Sequence, residues 1–202
     1  MPFRAPLAAF LLTFAATCTA HSGQCWNFAA DLRKMAKIDQ MMRLHLQREA
    51  DASGNPPSRT FDQVMLIDRV HIRRVKQLLA DCCWPRKSIH GMDAVRDAWL
   101  LVQHADQDLR FQRAALTMMK QAVKEGEVPG DLFAYLSDRV SIARGRPQPY
   151  GTQVEVKDGC TLRFLPIEAL HRVEANRKAM GLPSLDNYRR EAQRHLLPGN
   201  CK

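Results

Sequence analysis

Apolar residues recur at helical spacing along most of this chain. From Asn27 to Ala50, Phe28, Leu32, Met35, Ile38, Met42 and Leu46 fall on one face and Lys, Arg, Asp and Gln on the other, which predicts an amphipathic helix. Phe61 to Ala80 predicts a second helix, with Val64, Ile67, Val70 or His71, Val75, Leu78 and Leu79 as its buried stripe. The Ser-Gly-Asn-Pro-Pro-Ser stretch at 53–58 is a loop between them, and Trp84-Pro85 ends the second helix because proline cannot continue one. Met92 to His104 is apolar nearly all round, so it predicts a central helix covered by others. Asp108 is placed to cap the next helix, which carries Phe111, Ala115, Met118, Met119, Ala122 and Val123. Asp131 is placed to cap a further one through Leu132, Phe133, Leu136 and Val140.

The pattern changes at Arg144. Two glycines and two prolines in 144–153 mark a shaped loop. Val154 to Lys157 and Leu162 to Phe164 then alternate, with Asp158-Gly159 between them as a hairpin turn. Such a hairpin is marginal alone and must pack on the helices. Helical spacing returns over Ile167–Met180, closed by Gly181, and again after the cap residue Ser184 to about Leu196. The expected fold is mainly α, a single-domain helical bundle over 21–202 with one late β-hairpin.

The first twenty residues read differently. They hold one basic residue, Arg4, no acid, and an apolar run from Leu7 to Ala16 that is too short to span a bilayer. Cys18-Thr19-Ala20 offers small residues for cleavage after Ala20. The preceding Ala15-Ala16-Thr17 lacks the leucine expected before a lipidated cysteine, so cleavage rather than anchoring at Cys18 is expected. No later stretch has the length of a membrane span. The pattern predicts a soluble protein, periplasmic or secreted. Five cysteines would remain, and an oxidising compartment favours pairing Cys25 with Cys82 or Cys83, and Cys160 with Cys201, with one thiol left over. The net charge of +9, or +8 without Arg4, is spread over every helix without interleaved aromatics, which argues against nucleic acid.

Candidate chemistry gathers where the central helix turns polar, at Gln103-His104-Ala105-Asp106. There His104 would serve as general base with Asp106 and His71 in the catalytic set. Asp39, Arg43, Asp68, Gln103 and Arg139 are candidate ligand-binding residues, Arg139 as a clamp for an anionic group. Gln148, Tyr150 and Gln153 would join them from a lid-like loop. Asp39 and Arg43 alone, four apart, also fit an ordinary surface pair. No metal or cofactor is expected, since no H-E-x-x-H or comparable spacing occurs and His71, His104 and Asp106 would come from separate helices. Two readings stay open: a hydrolytic enzyme of the envelope using His/Asp acid–base chemistry, and a binding protein whose polar corner is a structural hydrogen-bond network. Its partner would be an envelope protein or a small anionic ligand.

Several segments also carry a resemblance. They are Asp39-Gln40 with Arg43, Asp68 with His71, Trp84-Pro85, Ala98 through Asp106 (A-W-L-L-V-Q-H-A-D), Asp108, Phe111-Gln112, Tyr135-Leu136 with Asp138-Arg139, Gly145 with Pro147-Gln148, Tyr150-Gly151-Thr152-Gln153, Pro166-Ile167 and Gly181-Leu182. In this order, over about 28–190, they resemble an uncharacterised bacterial family classed as a domain of unknown function. One departure is Cys83, where the family pattern has glycine. The resemblance implies a shared, mainly helical fold and brings no activity, cofactor or catalytic residue.

Overall fold

In a computed structural model, residues 25–53, 58–199 and 201 are described. The expected signal segment and its cleavage site lie outside them. The two longest helices are α1 (Phe28–Ser53) and α2 (Ser58–Cys82). They pack on each other and on α3 (Lys87–Gln103), which also meets α4 (Leu109–Lys124) and α5 (Gly130–Ala143). The nearly all-apolar segment is therefore the central helix, with Ala94, Val95, Ala98, Leu101 and Val102 buried. Gly91, at φ 80° and ψ 160°, breaks α3 after its first turn, so the long apolar run starts at Met92 as its periodicity predicts.

The buried stripe of α1 contains Phe28, Leu32, Met35, Ala36 and then Asp39, so a carboxylate occupies a core position. On α2 the alternative between Val70 and His71 resolves to His71; Val70 is exposed, and Asp68 and Ile72 join the stripe. Asp108 caps α4 by accepting the Phe111 N–H at 2.9 Å. Asp131 does not cap α5, whose N-cap is Pro129. It sits in the first turn, where its carboxylate accepts the Leu132 N–H.

The chain then forms the hairpin β1 (Val154–Lys157) and β2 (Thr161–Phe164), followed by α6 (Leu170–Ala179) and α7 (Leu185–Leu196). Asp158 and Gly159 both have positive φ and Cys160 N–H bonds to Lys157 C=O, the type I′ geometry that fits the twist of the strands. Helix α6 starts three residues later than its spacing suggests. Pro166 and Ile167 are drawn into a parallel bridge with Gln148 instead of a helical turn. Among the described residues no helix is long and apolar enough to cross a membrane.

Cys25 is bonded to Cys82 and Cys160 to Cys201. The expected left-over thiol is not found: none of the described cysteines, Cys83 included, is free. Cys83 has φ 67°, directly after α2. That is the left-handed closing position where glycine is at ease and another residue costs about 1–2 kcal/mol. A cysteine thus takes this geometry, between disulfide-bonded Cys82 and buried Trp84.

The 144–153 loop is clamped rather than hinged. Asp138 on α5 is fully buried and accepts the Tyr150 and Thr152 N–H groups at 2.9 and 2.7 Å. Gln148, also fully buried, donates to Gln153 C=O and Leu165 C=O and accepts the Gln153 N–H. Arg177 on α6 donates to Tyr150 C=O and Pro183 C=O, and the Tyr188 hydroxyl on α7 donates to Thr152 C=O. Gly151 stands at φ 65°, and a Cβ there would lie 2.8 Å from Leu185 Cδ1.

Burial pushes the Asp138 carboxyl from the ordinary 3.8 up to about 6, against the pull of the two backbone N–H groups, the Thr152 hydroxyl and Arg177. A carboxyl whose folded pKa is raised stabilises the fold below pH 3.8, and the contribution is lost as pH rises through about 6. Asp138→Asn turns an N–H donor toward one of the loop amides, leaving it unsatisfied, and should cost about 2 kcal/mol in urea unfolding. The gap between wild type and variant should narrow between pH 4 and 6; a gap that widens there would contradict this assignment.

Candidate functional site

The site is set by where α3 stops. Its last helical residue is Gln103, and His104 takes the C-cap position at φ −83° and ψ 0°. The carbonyls at this end need partners. Gln112, buried on α4, supplies them: its amide lies 3.2 Å from Val102 C=O, Gln103 C=O and Asp106 Oδ1. This anchor was missed from sequence, although a glutamine one position from Phe111, in register with Ala115, Met119 and Ala122, is the available signal.

At this corner the two expected catalytic neighbours part. The His104 ring turns to α1, where Nδ1 lies 2.8 Å from Asp39 Oδ2 and 3.0 Å from Oδ1. Asp106 turns the other way, to Arg139 on α5, whose Nη1 is 3.0 Å from both carboxylate oxygens. The Asp106 side chain is 61 % exposed. The Gln103 side chain hydrogen-bonds to neither group: its Oε1, like Arg139 Nε, is buried without a hydrogen-bond partner.

Around Asp39 four charged or titratable groups converge from three elements. Arg43, one helical turn further along α1, donates through Nε to Asp39 Oδ1 at 3.1 Å. Its Nη2 lies 2.9 and 3.0 Å from the two oxygens of Asp68 on α2. Gln40 donates to Asp39 Oδ2. The surface-pair expectation for Asp39 and Arg43 therefore does not hold: they do pair, but inward. The Asp39 side chain is 1 % exposed and Asp68 8 %, whereas His104 is 18 % and Arg43 31 % exposed. The carboxylates are buried supports, and the imidazole and guanidinium are the parts that reach solvent.

Arg43 Nε is also 2.9 Å from His104 Nδ1, so the ring nitrogen faces a donor and an acceptor at once. The carboxylate decides between them. Burial alone would raise Asp39, but the hydrogen bond and charge of His104, the Gln40 amide and Arg43 hold it below the usual carboxylate range. An ionised carboxylate only accepts, so Nδ1 carries the hydrogen and gives it to Asp39. In the uncharged form of the ring, Nε2 then carries the lone pair. Asp68 moves the other way: burial raises it more than Arg43 lowers it.

His71 completes the cluster on α2. It feels the charges of Asp39 and Arg43, and burial lowers its pKa, so it stands uncharged at neutral pH. Its Nδ1 is buried with no hydrogen-bond partner. Gln148, Tyr150 and Gln153 do not join. Their hydrogen bonds run within the loop and to α5, α6 and the strand end, none to His104 or Asp39, and Tyr150 packs edge-on against Phe133 in the core. The loop anchors Asp138, Arg177 and Tyr188 were not singled out from sequence as site-forming. Among the described residues no group of three or more His, Cys, Asp or Glu is placed to hold a metal ion.

A family model described as a family of unknown function (DUF6624) matches residues 27–195, most of the chain. The chain belongs to this family. The match takes in α1 to α7, and so both the Asp39–His104 pair and the clamped loop. Compared with curated proteins and with solved structures, the chain has no match.

Stability separates the supports from the heads. Arg43→Ala strands the buried Asp68 carboxylate and takes the one guanidinium from Asp39, which keeps Gln40 and His104, and should cost about 3 kcal/mol. His104→Ala leaves Asp39 still bonded to Gln40 and Arg43 and should cost about 1 kcal/mol. Urea unfolding of both variants checks the order; a larger loss for His104→Ala would show that the ring, not the guanidinium, holds the cluster.

Proposed function

We propose that the protein is exported and acts in the periplasm or outside the cell as a hydrolase of a small anionic substrate, with Asp39 and His104 as its acid–base pair. The observation that carries this is the Asp39 carboxylate on His104 Nδ1, which fixes the ring and presents Nε2 as the basic nitrogen. Asp39 has the environment of a group that stays ionised throughout. His104 Nε2 takes a proton from a bound water. The resulting hydroxide attacks the carbonyl or phosphoryl centre, and the imidazolium returns the proton to the leaving group. Arg43, a third exposed and held on two carboxylates, stands beside the ring to meet negative charge on the substrate. His71, uncharged at neutral pH, adds no competing positive charge. Export is supported by the N-terminal pattern of one Arg, a ten-residue apolar run and small residues before residue 21, and by two disulfides in the body of the protein.

A second reading has its own observation. Asp39, Arg43, Asp68 and His104 satisfy one another, as a purely structural network would. In that case the protein binds an envelope partner and performs no chemistry.

Purified protein assayed on a panel of chromogenic esters, phosphate esters and amides distinguishes them. Hydrolysis should fall about 100-fold or more in His104→Ala and also drop in Asp39→Asn, with folding retained in the former. No turnover on any substrate, together with a melting temperature that collapses in His104→Ala, would favour the structural network instead.

A further inference from the structure

A second feature lies where α5 begins against the α6–α7 turn. A cleft of about 630 Å³ opens there, and it shares no residue with the Asp39–His104 cluster. Gly130 at the start of α5 lets the Met180 backbone pack close beside it: a Cβ there would lie 2.6 Å from the Met180 carbonyl oxygen. Two tyrosines line it, Tyr135 from α5 and Tyr188 from α7, with their rings edge-on at 6.4 Å. Leu182 and Met180 supply apolar wall.

The charge of the lining runs against the charge of the protein. The chain carries a net +9, yet the titratable lining of the cleft is two carboxylates, Asp131 and Glu191, one imidazole, His195, and the two tyrosines, with no lysine or arginine. Neither carboxylate takes part in an ion pair among the described residues; Asp131 only accepts its neighbour's Leu132 N–H. Aromatic faces attract cations, and one of these rings already shows it: the Arg177 guanidinium sits 5.0 Å over Tyr188. Arg177 itself is fully buried and donates to the Tyr150 and Pro183 carbonyls.

We propose that this cleft binds a small organic cation, an amine or quaternary ammonium carrying an apolar or aromatic body. The ammonium lies between the tyrosine rings and the Glu191 and Asp131 carboxylates, and the apolar body lies against Leu182 and Met180. The class is set by complementarity: an anion would meet two carboxylates, and a neutral hydrocarbon would leave them unused.

Benzyltrimethylammonium is a direct probe, with neopentylbenzene as its neutral isostere and benzoate as the anion. Trp99 reports on occupancy, since its ring stands edge-on to Tyr135 at 6.4 Å. Titrations of the full chain at mildly alkaline pH, where imidazoles are uncharged, should show the cation changing Trp99 fluorescence and raising the melting temperature. The signal should be lost in Trp99→Phe while binding by calorimetry persists. Glu191→Gln, on an exposed helix face, keeps the fold and should raise the Kd about fivefold, and Tyr135→Leu should raise it further. Equal binding of the neutral isostere, an unchanged Kd in Glu191→Gln, or no binding of the cation at millimolar concentration would each overturn the proposal.

Discussion

A carboxylate with almost no exposure sits in the core stripe of α1, and the three central helices are arranged around its needs. An isolated buried charge is expensive, so Asp39 requires donors on every accessible side. Gln40 and Arg43 come from its own helix, and His104 comes from the end of α3. Arg43 in turn needs more than one carboxylate, and Asp68 brings α2 into the same knot. The point at which α3 stops is thereby tied to the register of α1 against α2. Gln112 fixes that stop from the far side by capping the last carbonyls of α3. The exposed chemistry, an imidazole and a guanidinium side by side, follows from this internal requirement.

The second half of the chain solves a different problem with the same means. A loop rich in proline and glycine cannot satisfy its own amides through secondary structure, so buried side chains do it: Asp138 and Gln148 for the N–H groups, Arg177 and Tyr188 for the carbonyls. This fixes α6 and α7 against α5 and creates the cleft at the start of α5. The Cys160–Cys201 bond then ties the chain end to the hairpin turn, just as Cys25–Cys82 ties the start of α1 to the end of α2.

Helical spacing made the elements legible, because a buried stripe repeats locally. It also led to the central helix, whose all-round apolarity admits one environment. Two of the cysteine pairings were legible up to the choice between two adjacent residues, but the expected left-over thiol is not found among the described cysteines. The orientation of polar side chains was not. An Asp–Arg pair four residues apart looks the same on a surface and in a core; only the alignment of Asp39 with Phe28, Leu32, Met35 and Ala36 could have placed it inward. His104 and Asp106 are two residues apart, yet the chain leaves the helix between them and sends them to different partners. Tyr150 and its neighbours looked like a lid because the loop is polar, whereas its polarity is spent on its own backbone.

The direct test of the Asp39–His104 pair is the tautomer of His104, read from the ring nitrogen chemical shifts of labelled protein at alkaline pH. A carboxylate on Nδ1 requires the hydrogen on Nδ1, which in the uncharged ring leaves Nε2 unprotonated, and Asp39→Asn should shift that balance. A hydrogen found on Nε2 in the wild type would mean that Nδ1 accepts from Arg43 instead, and the acid–base role of the pair would fall.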